Sequence, residues 1–127
     1  MGTNIYARKI PTQQELQSIS QIVLEGNLFA AKQQLNQYAQ IHIGKRSAGW
    51  KFLFNHNNWK YYGSIQELKD WTKTAQLETE YGQSLTWEEF WEDVEIRQQS
   101  QKSHSINDPH WYIIEEDYEF SKSTDFC

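Results

Sequence analysis

The densest polar chemistry in the sequence lies in residues 42–50, His-Ile-Gly-Lys-Arg-Ser-Ala-Gly-Trp. Its two glycines allow sharp turns and a close approach of ligand to backbone. Arginine offers a planar fork to phosphate or carboxylate, lysine a point charge, and tryptophan a face on which a base can stack. The segment therefore predicts a pocket for an anionic, nucleotide-like molecule, and an ordinary exposed hairpin turn is the alternative interpretation.

The predicted ligand-binding set joins this segment to the N-terminal strand: Asn4, Tyr6, His42, Lys45, Arg46, Ser47 and Trp50. The segment is not a P-loop, because Ala39 stands where the first Walker A glycine belongs and Arg46 where the hydroxyl belongs. No Gly-x-Ser-x-Gly elbow is present either. We therefore expect binding without catalysis and no catalytic residues, with a small hydrolase as the third alternative.

Metal and cofactor chemistry have little support in the sequence. Four histidines occur, of which His42 and His56 could approach each other, while His104 and His110 lie in or beside a polar segment. No HExxH motif and no Cys/His pair at zinc spacing accompanies them. We expect neither a metal nor a cofactor.

Charge divides the chain into two unequal halves. Residues 1–63 carry seven basic and two acidic residues, whereas residues 64–127 carry five basic and fifteen acidic residues. Rows of carboxylates can imitate nucleic-acid phosphates and occupy a basic channel of a partner. The second hypothesis is therefore a protein-binding acidic surface, although such charge also serves solubility alone; its candidate residues are Glu88, Glu92, Glu95, Glu115 and Glu116.

Composition narrows the class of protein. The sequence has no apolar run of about 20 residues for a transmembrane helix and none of 7–15 residues for a signal peptide. Its only cysteine is Cys127, so no intrachain disulfide can form, and we expect a cytoplasmic setting. Six Trp, seven Tyr and six Phe exceed the needs of one core, which predicts aromatic side chains at a binding surface or half-buried ones.

Local patterns predict the elements that position these residues. A strand covers residues 3–10, and a capping box, Thr12 with Glu15, opens a helix that stops at Gly26. A second helix over about 28–39 completes a tight αα-hairpin. Alternating apolar residues then predict a β-hairpin in which Trp50, Phe52 and Phe54 share one face, with a possible short strand at 59–62.

Two further capping boxes, Ser64 with Glu67 and Thr86 with Glu89, predict two more helices. Residues 98–108 have no periodicity and predict a mobile loop, residues 111–114 a strand, and residues 115–127 an irregular or edge segment. The expected fold is one α+β domain over residues 1–127. Its small antiparallel sheet is built on the central β-hairpin and is packed by the αα-hairpin and two further helices.

Three stretches carry a resemblance to a known family. They are the N-terminal Met-Gly-Thr-Asn with Tyr6, the string His42-Ile-Gly-Lys-x-Ser-Ala-Gly-Trp50-x-Phe52, and the late Tyr118-Glu-Phe-Ser121 with Asp125-Phe126. Together they resemble a family of small phage-encoded accessory proteins. Many relatives carry a Cys-x-x-Cys knuckle before the hairpin, but this chain has none in residues 12–39, so no zinc site is carried over.

The resemblance implies a phage setting and supplies no activity; in that setting we expect a protein that counteracts host defence. The first hypothesis is that it sequesters an anionic, nucleotide-like signal in the host cytoplasm. The alternative is an acidic, anti-CRISPR-like inhibitor that binds a host nucleic-acid-handling complex by nucleic-acid mimicry. The expected partners are thus an anionic small molecule or a host defence protein, with no direct nucleic-acid binding, no membrane, and a possible homo-oligomer.

Overall fold

One seven-stranded sheet organises the computed structural model, which describes residues 2–58, 61–108 and 110–122. Its strands are β1 (Gly2–Lys9), β2 (Ile41–Ser47), β3 (Leu53–Asn55), β4 (Ala75–Thr79), β5 (Ser84–Leu85), β6 (Tyr112–Glu115) and β7 (Tyr118–Ser121). Its helices are α1 (Gln13–Leu24), α2 (Leu28–Asn36), α3 (Ile65–Lys73), α4 (Trp87–Arg97) and α5 (His104–Asn107), with a 3-10 turn at His56–Asn58. The predicted α+β fold class is confirmed.

The strands lie in the order β5-β4-β1-β2-β3-β7-β6. Neighbouring strands are antiparallel except β3 and β7, which pair in parallel. The predicted β-hairpin is present as β2 and β3, but only Gly44–Phe54 and Lys45–Leu53 pair within it. Most of the hydrogen bonding of β2 goes instead to β1, so β1 and β2 together form the middle of the sheet.

Side-chain caps start the longer helices as the sequence predicts. Thr12 and Thr86 each accept a hydrogen bond from the third residue of their helix, whose glutamate returns one to the backbone of the threonine. Ser64 also caps α3, but the Glu67 carboxylate accepts its bond from the N–H of Gly63 rather than from Ser64. The first helix ends at Leu24, and Gly26 follows in the left-handed region with φ of 81°.

Aromatic rings fill the core between the sheet and helices α3 and α4. The side chains of Phe52, Phe54, Phe90 and Phe120 are almost fully buried. Their ring centroids lie 4.7 to 5.5 Å apart along the chain of contacts from Phe90 through Phe52 and Phe54 to Phe120. Much of the large aromatic content therefore goes into the core.

Gly44 is the position where this packing leaves no room for a side chain. A Cβ there would lie 2.6 Å from the carbonyl oxygen of Leu53 and against the ring of Phe52. Because backbone blocks the site, we expect Gly44→Ala to lower the free energy of unfolding by at least about 1–3 kcal/mol. Urea denaturation measures this change. Gly63→Ala is the matched control, since its Cβ would meet only the flexible Glu67 carboxylate; equal losses in both variants would contradict the prediction.

Two expectations about the second half of the chain are wrong, and two strands there were not predicted. Residues 98–108 do not form a loop without regular structure, because they contain α5 and the carbonyl of Lys102 accepts a hydrogen bond from the N–H of Lys51. The acidic tail is not an edge, because β7 lies inside the sheet between β3 and β6. The two strands that the sequence analysis did not predict are β4, at residues 75–79, and β5, at residues 84–85.

Two further expectations fall partly outside the described residues. Positions 59 and 60 of the possible short strand and residues 123–127 of the tail are among the positions without a description. Tyr61 and Tyr62 are described and belong to no strand. Among the helices of the described ranges, none combines the length and apolar character needed to cross a bilayer.

Candidate functional site

Four of the predicted ligand-binding residues face each other across β1 and β2. Asn4 lies directly opposite Lys45, and Tyr6 lies directly opposite His42. Directly opposed residues of antiparallel strands project from the same face of the sheet. The Tyr6 and His42 rings are stacked, with centroids 5.0 Å apart and planes 30° from parallel. We refer to Asn4, Tyr6, His42 and Lys45 as the β1–β2 polar face.

A β-bulge in β2 creates this shared face. In a regular strand, residues three apart such as His42 and Lys45 point to opposite faces. Here Ile5 pairs with Gly44 while Tyr6 pairs with His42, so Ile43 is an extra residue in β2. The extra residue lets Ile43 and Gly44 both be buried and brings the imidazole and the ammonium to one side.

Ser47 and Gly2 extend the same face. A Cβ on Gly2 would lie 2.9 Å from the hydroxyl oxygen of Ser47 and 3.1 Å from Cγ of Lys45. The Lys45 and Ser47 side chains therefore cover the surface of Gly2. The absence of a side chain at Gly2 sets how closely both polar groups approach β1.

Asn4 is held in place but keeps one acceptor without a partner. Its backbone N–H and its side-chain Nδ2 donate to the Glu80 carboxylate at 2.7 and 3.3 Å. Its Oδ1 atom is buried and accepts no hydrogen bond within the described residues. Buried acceptors without a partner are uncommon in folded proteins.

Arg46 does not join the polar face. Neighbouring strand residues point to opposite faces, and the Arg46 guanidinium pairs with Asp93 of α4 at 3.6 Å. Asp93 also receives the Nε–H of Arg97 at 3.1 Å, and Arg97 donates to the carbonyl oxygen of Ser47. The two adjacent cations of the sequence motif are thus separated by the sheet, and Arg46 joins β2 to α4.

Trp50 also lies apart from the polar face. Its ring stacks on His104 with centroids 4.4 Å apart, and the Lys102 ammonium lies 5.7 Å from the ring centroid. The His104 ring also contacts Tyr112, with ring centroids 5.1 Å apart. Trp50 therefore belongs to a second aromatic group, built from the segment 98–108 and β6.

Glu119 anchors this second group, and the sequence reasoning missed it. The carboxylate is 1% exposed, and Oε1 accepts from the N–H of His104 at 2.7 Å and contacts His104 Nδ1 at 2.8 Å. The hydroxyls of Ser103 and Ser105 bond to Oε2. Both hydroxyls bond the carboxylate rather than the imidazole, so the arrangement is an anchor for the segment and not a nucleophile–base pair.

The candidate acidic residues divide between two places. Glu88, Glu92 and Glu95 are exposed along α4, whereas Glu115 and Glu116 lie at the end of β6 and in the β6–β7 turn. The Glu116 carboxylate accepts from the N–H of Ile65 at 3.0 Å and so caps the start of α3.

One groove brings part of the acidic set together. It has a volume of about 520 Å³, and its lining includes Glu95, Glu116, Asp117 and Lys51. The Tyr118 hydroxyl donates to Glu95 at its side, and burial together with this bond raises the pKa of Tyr118. Glu88, Glu92 and Glu115 do not line the groove, so the five acidic candidates form no single site.

The histidines do not form a metal site within the described ranges, where no group of three His, Cys, Asp or Glu side chains could hold an ion. His56 is half-buried, and burial lowers its pKa. Comparison with known protein families, with curated proteins and with solved structures finds no match to this chain.

Proposed function

We propose that the chain binds an anionic, nucleotide-like small molecule on the β1–β2 polar face and holds it without catalysis. The observation that carries the proposal is the bulge at Ile43, which puts the Tyr6–His42 pair and the Lys45 ammonium on one side of the sheet. Stacked aromatic rings suit a planar base, and an ammonium suits a phosphate.

Asn4 adds directionality to this site. Its buried Oδ1 supplies an acceptor for a base amine or a ribose hydroxyl, while Glu80 holds the amide in position. The neighbouring Glu78 lies opposite Tyr6 in β4, and such a carboxylate disfavours ligands with several negative charges close to the base. A ligand with one phosphate extending towards Lys45 fits this distribution of charge best.

The proposed biological role rests on the resemblance of the sequence to small phage-encoded accessory proteins. A phage protein that removes a host nucleotide signal needs tight binding and no turnover. Sequestration in the cytoplasm of the host meets that need. Nothing in this mechanism requires a metal or cofactor.

AMP is the probe that tests the site, with adenosine and inorganic phosphate as its two halves. We expect AMP to raise the melting temperature with increasing concentration, as ligands that bind only the folded state do. Lys45→Ala should weaken binding about 10- to 100-fold, since a charge-assisted hydrogen bond contributes about 1.5–3 kcal/mol. Titration calorimetry measures the dissociation constants.

Arg46→Ala is the matched control, because it removes the adjacent cation on the opposite face of the sheet. It should bind AMP as the unaltered protein does. The proposal would be contradicted if Lys45→Ala bound AMP as tightly as the unaltered protein, or if the unaltered protein did not bind AMP.

The alternative, an acidic inhibitor of a host nucleic-acid-handling complex, is favoured by the exposure of Glu88, Glu92 and Glu95 along α4. If this surface binds a basic partner, replacing all three by glutamine removes activity and its salt dependence. Under the ligand proposal the same triple variant binds AMP normally. The triple variant therefore separates the two functions.

A further inference from the structure

The αα-hairpin formed by α1 and α2 leaves most of its apolar side chains in solvent. Only Ile19 and Ala31 are buried in these helices, and neither belongs to the main core cluster. Leu24, Leu28 and Phe29 are 81%, 67% and 73% exposed. Leu16, Val23 and Leu35 are also exposed, as is Ile10, which precedes α1 in the chain.

Helices α1 and α2 are too short to be stable without packing against other side chains. They span 12 and 9 residues, while isolated helices of fewer than about 12–15 residues are marginal in water. The Thr12 capping box and the bond from the Tyr38 hydroxyl to Glu15, 2.6 Å long, stabilise the ends of the hairpin. Neither covers the exposed apolar side chains, so further burial must come from outside this chain's described part.

The charge of the hairpin indicates what covers it. Residues 12–39 contain only three charged residues, Glu15, Glu25 and Lys32, whereas the second half of the chain has fifteen acidic residues. Its remaining polar positions are mostly glutamine, which carries no charge. Such a surface does not repel its own copy, and it offers no complementary charge to a strongly acidic or basic partner.

The exposed area matches what a stable dimer needs. Seven side chains with these exposed fractions present on the order of 800 Å² of surface, similar to the roughly 800 Å² per partner of a standard interface. A two-fold dimer uses the same surface patch on both copies, so the hairpin of one copy can pack against the identical hairpin of the other. Two hairpins packed together form a four-helix arrangement with the apolar side chains inside.

We propose that the occupant of this surface is a second copy of the chain, and that α1 and α2 form the interface of a homodimer. The inference is independent of the ligand proposal, since the β1–β2 polar face contains no residue of either helix. In this dimer the exposed leucines and Phe29 would be buried between the two subunits.

Sedimentation velocity from about 1 to about 200 μM tests the dimer, because association depends on protomer concentration. We expect a dimer of the unaltered protein. The double variant Leu28→Glu/Phe29→Glu should raise the dissociation constant at least about 100-fold, because each copy loses two buried apolar side chains. These positions begin α2, where glutamate favours the helix, so the helical circular dichroism signal should persist.

Tyr81→Glu is the control, because Tyr81 is 76% exposed in the β4–β5 turn, away from the hairpin. It should leave the dimer intact. If the double variant loses helix, Leu24→Gln at the end of α1 provides the same test. A monomer at every concentration, open-ended oligomers, a dimer unaffected by the hairpin variants, or equal dissociation by Tyr81→Glu would overturn the proposal.

Discussion

Phe52→Ala is expected to lower the free energy of unfolding by about 3–5 kcal/mol, the cost of removing a buried phenylalanine ring. The Phe52 side chain has no exposed surface and contacts the rings of Phe54 and Phe90, at 4.7 and 5.5 Å between centroids. It also occupies the space above Gly44. Removal of the Phe52 ring would leave a cavity between Phe54 of the sheet and Phe90 of α4, and we expect neither ring to fill it.

Urea denaturation followed by fluorescence measures this loss, and Ile114→Ala is the control. Ile114 is also apolar and lies in β6, but its side chain is 58% exposed. Its truncation should change stability by no more than about 0.5 kcal/mol. A Phe52 variant as stable as the Ile114 variant would show that Phe52 is not part of the core.

Glu119→Ala is expected to lower the free energy of unfolding by about 3–5 kcal/mol, because it leaves the buried hydroxyl of Ser103 and partly buried donors of His104 without an acceptor. The N–H and Nδ1 of His104 and the hydroxyl of Ser103 all depend on this carboxylate. The substitution should increase the rate of amide hydrogen exchange more in residues 98–108 than in β1 and β2.

Glu115→Ala tests whether the effect belongs to the buried position. Glu115 lies on the neighbouring strand and is exposed, so its removal should have little effect on stability. Glu119→Gln retains an acceptor and should lose less than Glu119→Ala. If residues 98–108 exchange at the same rate with and without Glu119, the carboxylate does not anchor them.

Local sequence signals predicted the helices well. Thr12 and Thr86 mark two helix starts through their hydroxyls and the glutamates three residues later, and both capping boxes form. Gly26 marks the end of the first helix because its positive φ favours glycine. Such signals act within a few residues, and no distant contact is needed to interpret them.

Sheet pairing was harder to predict because it depends on distant residues. The strand β4 has only Leu77 as a large apolar residue, and its pairing with β1 joins positions about 70 residues apart. Glu119 belonged to an acidic run that looks solvated in sequence. Only the alternation of Tyr118 to Ser121, with Phe120 turned into the core, points to a strand there.

The candidate site shows the same division between local and distant information. The four residues Asn4, Tyr6, His42 and Lys45 were grouped by residue type, with Lys45 in the predicted turn of the hairpin, whereas the structure places Lys45 in β2. The bulge at Ile43 that puts them on one face has no sequence signature. The ion pair of Arg46 with Asp93 is equally invisible, because it joins residues 47 positions apart. The anionic ligand suggested by the residue types stays a prediction, and the pairing of strands decided which side chains share a surface.

The parallel pairing of β3 with β7 also determines when the protein can finish folding during synthesis. Leu53 pairs with Glu119, which lies 66 positions later in the chain, and synthesis of that stretch takes roughly 3–13 seconds at about 5–20 residues per second. During that interval one edge of β3 has no strand beside it, and Phe54 lacks its contact with Phe120. An apolar strand with an open edge is a site where nascent chains associate wrongly. Slow synthesis or crowded expression should therefore increase aggregation through the segment around Phe52–Phe54.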